Sequence, residues 1–225
     1  MPFAATPDTM AGAGYTFAIA RCDELPACGL TSHEQREYDA LPHAARRRDW
    51  LAGRYAAKRA IAARWKLSTD AIELTSTSGT APRAHALART GRPSPLPDRL
   101  TLSHRDGVAI AAAFPSSAAV GVDLERAGGV SSRELRYFMS EAERSCLPHI
   151  DATLVWILKE AAWKALGLAP TTPFSSLQLV FRAGARTLAA VRLGTHELRA
   201  RAEIRHVDAS KPLMGALVEI TPEAS

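Results

Sequence analysis

Two carboxylates separated by one residue lie in the segment GVDLER, residues 121–126. Because alternate side chains of a strand leave opposite faces, Asp123 and Glu125 would share one face with Gly121, while the apolar residues between them enter the core. Such a pair has three interpretations: a hard-metal site with oxygen ligands, an acid–base pair, or a solvated strand face. The bare glycine and the tight apolar alternation beside the pair add support to a functional interpretation, and all three interpretations stay open.

A second charged group lies in the segment WILKEAAWKALG, residues 156–167. At about 100° per residue in a helix, one arc collects two tryptophans and three charged residues: Trp156, Lys159, Glu160, Trp163 and Lys164. This arc is either an amphipathic surface with an ordinary Glu160–Lys164 ion pair or a charged face turned toward a ligand. The choice depends on the partners that the rest of the chain supplies.

Basic residues in the first half form a third group. They lie in a predicted helix after Pro42, in the loop LARTGRP and at the end of the strand TLSH, and the candidates are Arg48, Arg54, Arg89, Arg92, Ser103 and His104. Clustered guanidinium groups suit the oxygens of a phosphate-bearing ligand. The alternatives are a solvated helix face for the arginines and a structural position beside a hairpin turn for the histidine.

The elements that must position these residues form two similar series. The first predicts a strand, two helices, a proline-rich turn region and a hairpin across Asp106-Gly107, at 15–21, 31–41, 43–67, 91–97 and 100–114. The second predicts a strand, helices and four alternating strands, at 119–125, 131–147, 151–167, 177–183, 187–193, 197–207 and 213–220. We therefore expect an α+β fold of two similar subdomains, 1–117 and 118–225, related by a pseudo-twofold, each with an antiparallel sheet packed against helices.

The composition is typical of a globular protein, with 47% hydrophobic residues and a net charge of +5 that suggests an anionic partner. The three cysteines, Cys22, Cys28 and Cys146, show neither zinc-type spacing nor a disulfide framework. The sequence shows neither an export signal nor a membrane-spanning run, so we expect a cytoplasmic protein that does not act at a membrane. We also expect it to be a monomer.

Taken in order, the motifs LAGRYAAK, GRP, LSH, GVDLE, FMSEAE and WILKEAAWKALG resemble the 4′-phosphopantetheinyl transferase superfamily, over about residues 40–170. They are most similar to its larger, pseudodimeric type, the surfactin-synthetase-activating and enterobactin-synthase-component-like proteins. That type activates carrier proteins of polyketide, nonribosomal-peptide or fatty-acid synthesis.

The resemblance implies a set of roles. Asp123, Glu125 and Glu160 would hold a Mg²⁺ ion that also binds the pyrophosphate of coenzyme A, and Lys164 would contact the phosphates. The six basic and polar residues of the first half would grip the adenosine and its phosphates. A serine of an apo acyl or peptidyl carrier protein would attack, with Glu160 as the base, directly or through a metal-bound water, and 3′,5′-ADP would leave. The positive charge suits the acidic recognition surface of such a partner.

Two other classes use similar residues. A nucleic-acid-binding module would explain the arginines but not three converging carboxylates, and the sequence contains no aromatic-rich strand motif for base stacking. A metal-dependent nucleotide phosphohydrolase would use both carboxylates and basic residues. Release of phosphate or cleaved nucleotide without a carrier protein would identify such a phosphohydrolase. We expect that the protein has no nucleic acid among its partners.

Overall fold

The computed structural model describes residues 14–24, 29–76, 81–87, 93–146, 151–182, 187–208 and 212–221. The chain divides into two compact units, Met1–Ser117 and Ala118–Ser225. In both units the sheets are antiparallel and the helices are few. The structure therefore confirms the predicted α+β class. Among the helices described, none is long and apolar enough to cross a membrane.

The described residues of the first unit form two α-helices and six strands: β1 (Thr16–Arg21), α1 (Ser32–Asp39), α2 (Ala44–Trp65), β2 (Ile72–Thr75), β3 (Arg83–Leu87), β4 (Pro93–Pro95), β5 (Arg99–Arg105) and β6 (Val108–Phe114). They form two three-stranded sheets with the orders β1-β6-β5 and β2-β3-β4. Helix α2 packs on the first sheet through alanines such as Ala52, Ala56 and Ala60, which are fully buried. Small side chains on both surfaces let the helix and the sheet approach closely.

The predicted hairpin between β5 and β6 is present. Asp106 and Gly107 have φ angles of 55° and 77°, so both lie in the left-handed region that a two-residue hairpin turn requires. The turn is also tied to α2, because the backbone N–H of Gly107 donates to Oδ1 of Asp49 at 2.6 Å. This contact holds the end of β5 beside the first half of the helix.

Strands β2, β3 and β4 are elements that the sequence pattern did not predict. The stretch from Gly91 to Pro97 was expected to be only turn, yet Pro93–Pro95 pairs with β3 as an edge strand. Proline has no backbone N–H, and it is tolerated in an edge strand because such a strand pairs with a neighbour on one side only. These strands are three to five residues long, so they show too little alternation to be recognised without their partners.

Where the structure describes the second unit, it has three α-helices and five strands: β7 (Ala119–Arg126), α3 (Ser132–Leu135), α4 (Glu141–Cys146), α5 (Ala152–Leu166), β8 (Leu177–Phe181), β9 (Leu188–Leu193), β10 (His196–Asp208) and β11 (Leu213–Thr221). The strands form one sheet in the order β7-β11-β10-β9-β8. Helix α5 packs on β7 and β11. It begins at the capping side chain of Asp151 and ends at Gly167, whose φ is 61°.

Each unit contains a buried glutamate–lysine pair built in the same way. In the first unit, Glu34 closes a capping box with Thr31, accepts the N–H of Leu74 at 3.0 Å and pairs with Lys58 at 2.6 Å. Neither charged side chain has any exposed surface. Because a buried charge is costly without a partner, the pair joins α1, α2 and β2 into one unit.

In the second unit, Glu143 occupies the corresponding position. It closes a capping box with Ser140, accepts the N–H of Leu179 at 2.9 Å and pairs with Lys159 at 2.9 and 3.0 Å. Burial lowers the pKa of Lys159, and the charge of Glu143 opposes that shift. The pair thus links α4, α5 and β8. In the first unit, Glu34 and Lys58 link α1, α2 and β2 in the same way.

Candidate functional site

Strand β7 and helix α5 come into backbone contact at Gly121. A Cβ at this position would lie 1.9 Å from the carbonyl oxygen of Ala161 and 2.6 Å from the nitrogen of Ala165. No larger residue fits there unless the helix moves away. The helix therefore covers the face of β7 that carries Gly121 and Asp123, the face that the strand pattern had set apart from the core.

Asp123 lies two residues beyond this contact and is buried, with 6% of its surface exposed. The ammonium of Lys164, in the last turn of α5, donates to Oδ1 of Asp123 at 2.7 Å and to the carbonyl oxygen of Val122 at 3.2 Å. Lys164 thus makes its ion pair across to β7. One of the two interpretations of the sequence had paired Lys164 with Glu160, which lies four residues earlier in the same helix.

Glu160 is half-buried and interacts electrostatically with both members of this pair. Its pKa is raised, chiefly because burial disfavours the charged carboxylate, and the negative charge of Asp123 raises it further, while the positive charge of Lys164 opposes the shift. The predicted chemistry-bearing residues Asp123, Glu160 and Lys164 are therefore brought together. Glu125 is half-buried two residues beyond Asp123, and its Oε1 accepts the N–H of Arg126 at 2.8 Å.

The donor set suits a magnesium ion completed by a ligand. Across the part of the chain that the structure describes, no three His, Cys, Asp or Glu side chains are grouped closely enough to hold a metal by themselves. Asp123 nevertheless lies close enough to Glu160 for its negative charge to raise the pKa of the Glu160 carboxyl, and Lys164 pairs with Asp123. Mg²⁺ is commonly bound by one or two carboxylates together with substrate phosphates and water. The residues present fit such an ion.

The two tryptophans of α5 pack against other aromatic side chains and not against the charged residues of the site. Trp156 and Trp163 lie with their ring centroids 5.2 and 4.9 Å from that of Phe174, and Phe138 makes an edge contact with Trp156 at 4.7 Å. Lys159, expected on the charged arc, is buried with Glu143. The arc therefore divides into an aromatic cluster, a buried pair and a site formed by Glu160 and Lys164. The sequence reasoning did not identify the phenylalanines, which belong to segments outside the helix.

The candidate residues of the first unit are placed differently from one another. His104 is exposed at the end of β5, with Nδ1 4.0 Å from Oδ2 of Asp49, and Arg48 is exposed on α2. Ser103 is half-buried on β5, opposite Ile110. Arg89 and Arg92 lie outside the described residues.

Arg54, also a candidate for phosphate binding, is only 5% exposed. Its guanidinium donates to Oε2 of Glu37 at 2.5 Å and lies 4.6 Å from the ring centroid of Trp50. Burial lowers its pKa, and the charges of Glu37 and Glu34 oppose the shift. Arg54 thus has an ion pair and a ring contact inside its own unit.

The raised pKa of Glu160 predicts a stability change on neutralisation. The folded-state pKa of Glu160 lies above the ordinary glutamate value of about 4.3. The stability that this carboxyl contributes is therefore fully present below the ordinary pKa, and it is lost as the pH rises through the folded-state pKa. Glutamine has no such loss. We therefore expect the Glu160→Gln variant, without magnesium, to have the same melting temperature as the wild type in acid. At neutral pH its melting temperature should be higher than that of the wild type.

Thermal denaturation across the pH range measures this difference. Glu141→Gln, at a carboxylate on α4 with 88% of its side chain exposed, is the control and should melt close to the wild type throughout. A Glu160→Gln protein that melts below the wild type at neutral pH would contradict the expectation.

Comparison with known families gives a match over the part of the chain that contains the candidate site. Residues 119–215 match the family model of the 4′-phosphopantetheinyl transferase superfamily. The matched segment runs from the start of β7 into β11 and contains Asp123, Glu125, Glu160 and Lys164. No curated protein sequence matches the chain significantly. The match supports a transferase of the phosphopantetheinyl type, and the part of the chain that holds the candidate site is similar to the 4′-phosphopantetheinyl transferase superfamily.

Proposed function

We propose that this protein transfers the 4′-phosphopantetheine group of coenzyme A to a serine of an apo acyl or peptidyl carrier protein, acting as a cytoplasmic monomer. The observation that carries the proposal is the arrangement of Asp123, Glu160 and Lys164 across β7 and α5, inside the segment that matches the superfamily. Among the contacts given above for the described residues, none favours a nucleic-acid-binding module or a phosphohydrolase over this reaction.

Glu160 is the proposed base. The serine oxygen would attack the phosphorus nearer the pantetheine, the bond from that phosphorus to 3′,5′-ADP would break, and the serine proton would pass to the Glu160 carboxylate. In the protein without metal, burial raises the pKa of the Glu160 carboxyl. The assignment rests on position, because this half-buried carboxyl belongs to the group formed with Asp123 and Lys164.

Lys164 is the proposed phosphate contact. Its ammonium lies on Asp123, and its side chain is 32% exposed, so it can approach a ligand's phosphates. Asp123, Glu125 and Glu160 would hold a magnesium ion, which when bound supplies positive charge that stabilises the phosphoryl and leaving oxygens. The protein's own part is to position the reactants and to receive the proton.

We assign recognition of the adenosine and its phosphates to the first unit, through Arg48, Arg54, Arg89, Arg92, Ser103 and His104. We also propose that the protein is of the larger, pseudodimeric type that serves polyketide or nonribosomal-peptide synthesis. The repeated buried pairs, Glu34 with Lys58 and Glu143 with Lys159, support a shared origin of the two units. The net charge of +5 suits an acidic carrier protein.

Intact-mass measurement tests the proposed reaction. The protein is incubated with coenzyme A, Mg²⁺ and a panel of apo carrier proteins, and a gain of one phosphopantetheine group on serine is expected for at least one carrier. Release of inorganic phosphate or cleaved nucleotide without a carrier would instead favour a phosphohydrolase. A folded protein that modifies no carrier in the panel would count against the proposal.

His104 is expected to recognise the 3′-phosphate of coenzyme A, which takes no part in the bond that breaks. A charged hydrogen bond contributes about 1.5–3 kcal/mol, so the wild type should prefer coenzyme A over dephospho-coenzyme A by about tenfold to a hundredfold. His104→Ala should remove much of that preference by weakening only the phosphorylated donor.

The values of kcat/KM for both donors, in wild type and variant, measure the preference. A histidine that only supports the hairpin, through its position beside Asp49 of α2, would lower both values equally and reduce the melting temperature. An unchanged ratio in a normally folded variant would remove His104 from the ligand-binding residues.

A further inference from the structure

The ammonium of Lys164 forms a bridge between the end of α5 and the backbone and side chain of β7. It contacts Oδ1 of Asp123 at 2.7 Å and the carbonyl oxygen of Val122 at 3.2 Å. The Asp123 side chain is 9% exposed, whereas that of Lys164 is 32% exposed and flexible. Lys164 can therefore leave this position by rotating toward solvent, whereas Asp123 cannot.

Two carboxylates act at this bridge. Lys164 pairs with Asp123, and the charges of both residues act on the half-buried Glu160 carboxyl. Because a buried carboxylate needs a partner, Lys164 stabilises Asp123 when no ligand is bound. Carboxylate oxygens are also the ligands that a divalent cation prefers, so a cation would bind at the place that the ammonium occupies.

We propose that a divalent cation displaces Lys164 from Asp123 and that the released ammonium then binds a phosphate of the donor, so that metal and coenzyme A strengthen each other's binding. The cation and the ammonium compete because both need the Asp123 oxygens and because like charges repel at such short range. The inference rests on the proposed function, in which Asp123 holds the metal and Lys164 the phosphates.

This exchange makes Lys164 a residue that couples two ligands. By linkage, the factor by which coenzyme A raises metal affinity equals the factor by which the metal raises coenzyme A affinity. Removing the ammonium should therefore have opposite effects on two quantities. Metal binding without coenzyme A should strengthen, and the additional strengthening caused by coenzyme A should shrink.

Titration with Mn²⁺, followed by the electron paramagnetic resonance signal of the free ion, measures metal affinity without any turnover. In the absence of coenzyme A, Lys164→Met should bind Mn²⁺ on the order of tenfold more tightly than the wild type, one decade of affinity. Lys164→Arg keeps the charge and should resemble the wild type. Arg126→Met removes an exposed positive charge three residues beyond Asp123 and should change the affinity much less.

A wild-type measurement complements the variants, because it does not depend on how a substituted protein folds. Coenzyme A should tighten Mn²⁺ binding to the wild type by about fivefold or more, the lower end of typical coupling. The same tightening should be clearly smaller in Lys164→Met. Circular dichroism confirms that each variant is folded.

Several results would overturn the exchange. They are unchanged or weaker Mn²⁺ binding in folded Lys164→Met, an equal gain in Arg126→Met, no coupling in the wild type, or no Mn²⁺ binding at all. Carrier-protein modification by the same wild-type preparation separates this from the proposed function. Modification together with any of these results rejects the exchange alone, whereas a preparation that modifies no carrier counts against the function itself.

Discussion

Replacement of Glu160 by glutamine is expected to lower the kcat of carrier-protein modification by about 10²–10⁴-fold, the contribution of a positioned general base. The amide has nearly the same size as the carboxylate, so the contacts of α5 should persist. It cannot accept the serine proton or provide a charged oxygen to a cation. Initial rates of holo-carrier formation, with coenzyme A and Mg²⁺ in excess, measure the effect.

The matched control is Glu141→Gln on α4, whose carboxylate is exposed and pairs with Arg144. It should retain the wild-type rate. Asp123→Asn is expected to give a loss of similar size to Glu160→Gln, because it removes a carboxylate proposed to hold the magnesium ion. A folded Glu160→Gln protein with a rate within about threefold of the wild type would exclude Glu160 as the base, since a base contributes far more.

Replacement of Gly121 by alanine is expected to damage both stability and activity. The added Cβ would lie 1.9 Å from the carbonyl oxygen of Ala161, far below the 3.4–4 Å of ordinary contact, and that atom belongs to the helix backbone. Helix α5 must therefore move away from β7. Overpacking of this kind costs about 1–3 kcal/mol of unfolding free energy. A displacement of about 1 Å at the reacting groups can lower the rate by about 10²-fold.

Urea denaturation and the rate of carrier modification measure the two effects. Gly53→Ala is the control for stability, because a Cβ there would meet the nearest side-chain atoms at 3.5 and 3.6 Å, within ordinary contact. At this position in α2, alanine should stabilise the protein by up to about 1 kcal/mol. A Gly121→Ala protein as stable as the wild type would show that the approach of α5 to β7 is looser than the structure has it.

Local patterns were sufficient to predict several elements and some of the site. The alternation in GVDLE predicted β7, the helical spacing of residues in WILKEAAWKALG predicted α5, and Asp106-Gly107 predicted the hairpin turn. These features depend on contacts within a few residues, on capping and on turn geometry, which a short window of sequence contains. The same patterns placed Asp123 and Glu160 among the residues able to do chemistry.

Tertiary structure decided which charges meet. The helical period placed Lys159 and Lys164 at the two edges of one charged arc. Lys159 is nevertheless buried with Glu143, 16 residues away, and Lys164 reaches Asp123, 41 residues away. Periodicity determines the angle of a side chain around its helix but not the group that it meets. The energies of burial and ion pairing depend on that group. The sequence alone therefore determined the chemical types and their elements, and the packing of α5 on β7 at Gly121 selected the residues that form the candidate site.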